Sequence, residues 1–265
     1  MKLKSKLFRQ TAAGILLAVL LLFPARAVNI SAKSAMVLDA GTGQVLYEKN
    51  ADEKSLIAST TKIMTGLLIA ECCDPEDTVV IPSEAAGIEG SSLYLKAGET
   101  RTVEELLCGM MLSSGNDAAA ALAIHLCGST EAFAERMNRR ARELGLAATH
   151  FANPHGLDSG DNYSTARDLC HLAAHALQNH WFREVCAAKT RTFDTRTYTN
   201  HNKLLWRYPG CIGVKTGYTK AAGRILVSAA EKDGTRLICV TLQAPDDWRD
   251  HKQLLDLGFS SDSES

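Results

Sequence analysis

The sequence predicts an α/β domain of the α+β kind: an antiparallel sheet flanked by helices, with a mostly helical lobe between its two strand-forming ends. Three observations carry this. Runs with strand character joined by tight turns lie near the start of the chain, at residues 34–38 and 44–48. Similar runs lie near its end, at residues 212–219, 225–231 and 237–242. Between them the apolar residues recur mostly at helical spacing. Consecutive hairpins build antiparallel sheet, so one sheet can gather both ends while the helices cover it or form the second lobe.

In chain order, Asp39-Ala40-Gly41-Thr42-Gly43 is the turn of the first hairpin. A core-facing helix follows from Ser59 to about residue 72, with Ser59 as N-cap or first-turn residue and Ile63, Met64, Leu67, Leu68 and Ala70 apolar. Asp74-Pro75-Glu76 ends it, residues 78–81 read as a short strand, and 83–99 as a glycine-studded loop. Residues 102–111 form a helix entered through a Thr102/Glu105 capping box. Leu112-Ser113-Ser114-Gly115-Asn116-Asp117 interrupts it before an alanine-rich helix to Cys127. Polar side chains in a bend between buried helices are costly unless they face a partner or a cavity. Helices at 130–144 and 164–177 bracket a turn-rich loop at 151–158. Residues 190–198 alternate as one strand, 200–206 are a loop, Asp233-Gly234 turns the last hairpin, and residues 248–257 close the domain as a helix.

The chain has 265 residues with Lys+Arg 29 against Asp+Glu 30, a balance that gives no reason to expect a nucleic-acid partner. Lys2, Lys4, Lys6 and Arg9, an apolar run over residues 12–23 and Ala25-Arg26-Ala27 have the layout of a signal peptide over residues 1–27. The expected protein is therefore exported, with one domain over 28–259 and a polar tail over 260–265. The eight cysteines lack the spacing of a disulfide scaffold or a paired zinc site, so they are expected mostly as buried free thiols. His171 and His175 stand four apart without a matching carboxylate. They and His155 are expected as surface or packing residues, and no metal or cofactor is expected.

Three short marks carry chemistry. Ser59 and Lys62 are three apart, so on a helix their side chains can meet. A serine needs its proton removed, and a lysine does this only when neutral, which burial beside a second cation favours. Ser114-Gly115-Asn116 is the second mark. Lys215-Thr216-Gly217 is the third, with a chance of about one in fifteen in a chain of this length. A glycine inside a strand marks close approach of a ligand or backbone.

Together the three match the S-x-x-K, S-x-N, K-T-G set. The chain resembles the low-molecular-weight penicillin-binding proteins that are serine-type D-alanyl-D-alanine carboxypeptidases, from about residue 34 to residue 259. Asp39-Ala40-Gly41-Thr42-Gly43, Gly90-Ser91-Ser92, Asn153-Pro154-His155-Gly156-Leu157-Asp158 and the Lys215-Thr216-Gly217-Tyr218-Thr219 stretch share in it. The resemblance implies a β-lactamase/transpeptidase-like fold with its site in the cleft between sheet and helical lobe. It implies Ser59 as nucleophile, Lys62 as general base, Ser114 and Lys215 in proton transfer, and Asn116 holding Lys62 and the substrate amide. It implies an oxyanion hole from the N–H groups of Ser59 and Tyr218, and Lys215, Thr216 and Gly217 as substrate-binding residues. Implied partners are peptidoglycan stem peptides and β-lactam antibiotics. Larger members carry a further β-rich domain and a C-terminal membrane anchor. Here a leader left uncleaved is one route to peripheral membrane association, and a monomer is expected. Two alternatives share the three marks. A class A β-lactamase needs a deacylating carboxylate between the second and third marks, where Asp158 and Asp161 lie in no recognisable setting. A penicillin-sensing binding domain would acylate without turnover.

Overall fold

The computed structural model describes residues 28–262. The first hairpin pairs β1 (Ser34–Asp39) with β2 (Val45–Lys49), and the two-residue β3 (Ser55–Leu56) leads to the turn that carries Ser59. The first helix α1 (Lys62–Cys72) follows a 3-10 turn over Ala58–Thr61. A small ladder of β4 (Thr78–Val80) and β5 (Thr100–Thr102) precedes α2 (Val103–Leu112), α3 (Asn116–Cys127) and α4 (Thr130–Glu143). Then come β6 (Tyr163–Ser164), α5 (Ala166–Ala176) and α6 (His180–Ala187). The hairpin β7 (Thr190–Phe193) and β8 (Arg196–Thr199) leads through the one-turn α7 (Leu204–Arg207). The chain then runs through β9 (Cys211–Thr219), β10 (Gly223–Lys232) and β11 (Thr235–Leu242) to α8 (Asp247–Asp262).

The main sheet has the order β2-β1-β11-β10-β9, with every pairing antiparallel. β1 lies beside β11, so both ends of the chain share one sheet. One face packs on α8 through Ile30, Val37, Leu237, Cys239, Leu254 and Leu255. The other face meets α5 and α6, and α1 runs through the centre of the helical lobe. The residues from Lys62 to Ile69 are buried on every side of α1, which a one-sided apolar stripe does not express. The edge left open beside the lobe is β9, the strand that carries Lys215-Thr216-Gly217.

Local chemistry explains the punctuation. The Thr102 hydroxyl accepts from the Glu105 N–H, one half of the expected capping box, while the Glu105 carboxylate is taken by the Tyr198 hydroxyl. Asp233 and Gly234 both have positive φ, as a two-residue hairpin of matching twist requires. Asp250 on α8 accepts from Ser31 N, Ser31 Oγ and Ala32 N, tying the N-terminal segment to the last helix.

Several sequence expectations need correction. The helix expected from Ser59 begins as α-helix only at Lys62; Ser59 lies in the 3-10 turn and caps nothing. Residues 190–198 form a hairpin, because Asp194 adopts positive φ and turns the chain. The helix expected from 164 begins at Ala166, with the Thr165 side chain as its cap. The loop 200–206 contains one turn of helix, and α6 was not expected at all. All eight cysteines are free, but only Cys108, Cys170, Cys186 and Cys239 are buried. The leader expected over 1–27 lies outside the described residues.

Candidate active site

The turn before α1 places Ser59. Ala58 has positive φ, and Thr60 N and Oγ1 both donate to Ile57 O, so the chain doubles tightly just ahead of the helix. The Asn153–Leu157 stretch presses against this turn from behind. Gly156 has φ +87°, and a Cβ there would lie 1.9 Å from Ala58 O. The Asn153 carboxamide oxygen accepts from Gly156 N at 2.7 Å, and Thr65 Oγ1 donates to Pro154 O at 2.6 Å. These bonds lock the loop onto α1.

Lys62 is fully buried at the start of α1. Its Nζ lies 3.2 Å from Ser59 Oγ, 2.7 Å from Asn116 Oδ1 and 2.5 Å from His155 O. Asn116 opens α3 and is itself fixed, donating from Nδ2 to Glu89 O at 2.7 Å. A second chain of contacts lies across from the first: Lys215 Nζ donates to Ser114 Oγ at 3.1 Å and to Thr216 O at 3.1 Å. Ser114 holds a positive φ of +64° in the bend between α2 and α3, which turns its hydroxyl to Lys215. The bend flagged by its buried polar residues is therefore where α2 and α3 open onto the strand.

Gly217 joins the two halves. A Cβ there would stand 3.2 Å from Ile57 O and 3.3 Å from the N atoms of Ser59 and Thr60. No larger residue lets β9 lie this close to the Ser59 turn without displacement. Successive residues of a strand face opposite ways. Lys215 and Gly217 thus face the helical lobe while Tyr218 does not; its ring is exposed, with the Arg224 guanidinium 5.9 Å from its centroid.

Electrostatics sharpen the picture. Burial first, and then the Lys215 charge, hold the Lys62 amine well below the ordinary lysine value, with Asp117 opposing. Burial brings Lys215 down to about 8. A neutral amine has two N–H groups and one lone pair. Asn116 Oδ1 and His155 O can only accept, so they take the two N–H groups and leave the lone pair for the Ser59 hydroxyl proton.

The chain matches the family model for D-alanyl-D-alanine carboxypeptidase over residues 23–246. It belongs to the D-alanyl-D-alanine carboxypeptidase family, peptidase family S11. It is 39% identical over 246 residues to the D-alanyl-D-alanine carboxypeptidase DacF of Bacillus subtilis, covering 86% of this chain and 62% of that one. It is 37% identical over 265 residues to the D-alanyl-D-alanine carboxypeptidase of Streptomyces sp. strain K15, covering 89% and 91%. The crystal structure of the Streptomyces K15 DD-transpeptidase superposes with a TM-score of 0.84 at 36% identity, covering 88% of this chain and 98% of that one. The chain spans about 62% of the length of DacF and of the Escherichia coli relative DacC. The fold is the serine penicillin-binding fold of these DD-peptidases.

Within that fold the sequence-expected residues Ser59, Lys62 and Asn116 meet in one hydrogen-bond chain, and Ser114 and Lys215 in another. His155, expected as a surface or packing residue, stands at the site: its carbonyl holds Lys62, and burial with the Lys62 charge brings its ring down to about 4. The Asn-Pro-His-Gly turn signal could have flagged the loop, but nothing in it points to Lys62. The Glu89 carbonyl behind Asn116 carried no signal either. His171 and His175 lie on α5, and His175 approaches Arg140 and Glu71. Among the described residues no cluster of three His, Cys, Asp or Glu side chains could hold a metal ion.

Proposed function

We propose that this protein is a serine D-Ala-D-Ala carboxypeptidase that acts on peptidoglycan stem pentapeptides through an acyl-enzyme on Ser59. The observation that carries the reading is Lys62: a buried amine held by two pure acceptors, with its remaining valence on Ser59 Oγ. Ser59 Oγ attacks the carbonyl carbon of the penultimate D-alanine, and its proton passes to Lys62 Nζ. The tetrahedral oxyanion sits between the N–H groups of Ser59 and Tyr218. Collapse breaks the C–N bond, and Ser114 delivers its proton to the departing D-alanine nitrogen while taking one from Lys215 Nζ, which donates to it at 3.1 Å. Thr216 and Lys215 hold the terminal carboxylate, and Gly217 lets this substrate-binding strand lie against the Ser59 turn. Asn116 holds Lys62 and the substrate amide. Water then attacks the ester carbonyl, giving the shortened peptide and free Ser59. A β-lactam opens on the same hydroxyl and stays attached.

Residues 28–259 form the catalytic unit in this reading, preceded by an export leader over 1–27. Among the described residues no helix is long and apolar enough to cross a membrane. The β-lactamase alternative gains no support from Asp158, which accepts from Thr219 Oγ1 at 2.9 Å. The test is release of D-alanine from a synthetic stem pentapeptide. The wild type releases it and Ser59→Ala does not; absence of release by the wild type, alongside rapid penicillin hydrolysis, would overturn the assignment.

A further inference from the structure

Asp117 is a fully buried carboxylate one residue past Asn116, and among the described residues no cation stands in ion-pair contact with it. A buried charge of this kind persists only where hydrogen bonds hold it. Residues 91–95 supply them. They belong to no helix or strand, so the N–H groups of buried Leu93 and Leu95 need partners elsewhere. The Asp117 carboxylate accepts from Leu93 N at 3.0 Å, from Leu95 N at 3.1 Å and from Ser92 Oγ at 2.7 Å, and from Ala118 N on its own helix at 2.9 Å. Beside it, Asn116 N donates to Ser91 O at 2.8 Å and Asn116 Nδ2 to Glu89 O at 2.7 Å. Leu93 also fills the space over Gly115, where a Cβ would stand 2.6 Å from its Cγ. The strap 89–95 is therefore fastened to the Ser114–Asn116 bend, and Asp117 is the charged part of the fastening.

We infer that Asp117 is a positioning residue for acylation of Ser59: its carboxylate holds the strap that keeps Asn116 on Lys62, and it sets the field in which Lys62 works. The inference rests on Lys62 being the base of the carboxypeptidase reading. Three charged or titratable side chains face Lys62: Asp117 from α3, Lys215 from β9 and His155 from the loop behind α1. Lys215 favours the neutral amine and Asp117 the ammonium, while His155, held low by burial, adds no charge at neutral pH. Asp117 thus limits how far the proton affinity of Lys62 falls, and a base with too little affinity does not take the Ser59 proton. An amide cannot replace the carboxylate. Whichever way an asparagine is turned, its NH2 group points at backbone N–H groups that now meet an oxygen.

The test follows acylation by a fluorescent penicillin from pH 5 to 11 in the wild type, Asp117→Asn and Ser92→Ala, each checked by a thermal melt. In Asp117→Asn the plateau rate falls about tenfold, and the limb set by the neutral amine moves about one unit to the acid side. Ser92→Ala removes one donor and keeps the charge, so its plateau falls about threefold with the limb at the wild-type position or slightly alkaline of it. A residue that only stabilised the start of α3 would slow the reaction without moving the limb. An Asp117→Asn limb at the wild-type position, or displaced to the alkaline side, overturns the inference. If Asp117→Asn does not fold, Ser92→Ala decides alone, and an undiminished plateau or a limb moved to the acid side overturns the inference. A wild type that takes no label at any pH overturns the acyl-enzyme reading as well. Release of D-alanine from the pentapeptide judges the carboxypeptidase reading separately.

Discussion

Replacing Asn116 by aspartate keeps the shape of the site and adds one charge, so it isolates what holds the Lys62 amine below the ordinary lysine range. Lys62 Nζ lies 2.7 Å from Asn116 Oδ1. At an effective dielectric of about 20, a unit negative charge at that distance favours the ammonium by about 6 kcal/mol. Burying the new carboxylate and losing the Nδ2 bond to Glu89 O offset part of this. If half survives, about 3 kcal/mol, the pKa of Lys62 rises by about two units. In acylation by a fluorescent penicillin, followed from pH 5 to 11, the limb of the rate profile set by the neutral amine should then lie about two units further to the alkaline side in Asn116→Asp. The rate should recover as pH rises, because alkali restores the neutral amine. A thermal melt checks that the variant is folded. A variant whose rate profile coincides with that of the wild type, or that is equally slow at every pH, would refute the two-acceptor account.

Other outcomes follow from the same geometry. Lys215→Met should raise stability by about 1–2 kcal/mol at pH 7, seen as a Tm higher by several degrees, while acylation is lost, because a costly buried amine is replaced by an apolar chain. The wild type itself should gain stability as pH rises from about 8 toward 10.5: folded Lys215 sheds its proton near 8 while the unfolded chain keeps it, so the unfolded state binds more protons across that window. Gly217→Ala should slow acylation by about fivefold, since a Cβ 3.2–3.3 Å from three backbone atoms shifts β9 by a few tenths of an ångström. Gly156→Ala should cost about 3 kcal/mol or more in urea unfolding, because the new Cβ meets Ala58 O at 1.9 Å in a positive-φ residue.

Much of the site was legible because it depends on residue type at short range. Ser59 and Lys62 are close through helical spacing, and the Ser114–Asn116 bend betrayed itself by placing polar groups between apolar helices. Gly217 declared a close approach in a strand. What spacing could not show is that α1 and β9 face each other; that pairing comes from β1 lying beside β11 and from burial around all of α1. His155 acts through its backbone carbonyl, and every residue carries one, so side-chain chemistry could not single it out. The hairpin at 190–199 was missed because its turn residue is Asp194, which adopts positive φ less often than glycine does. α6 escaped because residues 178–189 carry no strand alternation and only a short apolar stripe, which becomes a helix when Phe182, Val185 and Cys186 pack inward.

The measurement that bears most directly on the central claim is the site and rate of β-lactam attachment, read by peptide-mapping mass spectrometry in the wild type and in Lys62→Met. The adduct should sit on the Ser59 hydroxyl and form at least about a thousandfold more slowly in the variant. An adduct on another residue, or one formed at a comparable rate without the Lys62 amine, would contradict the account.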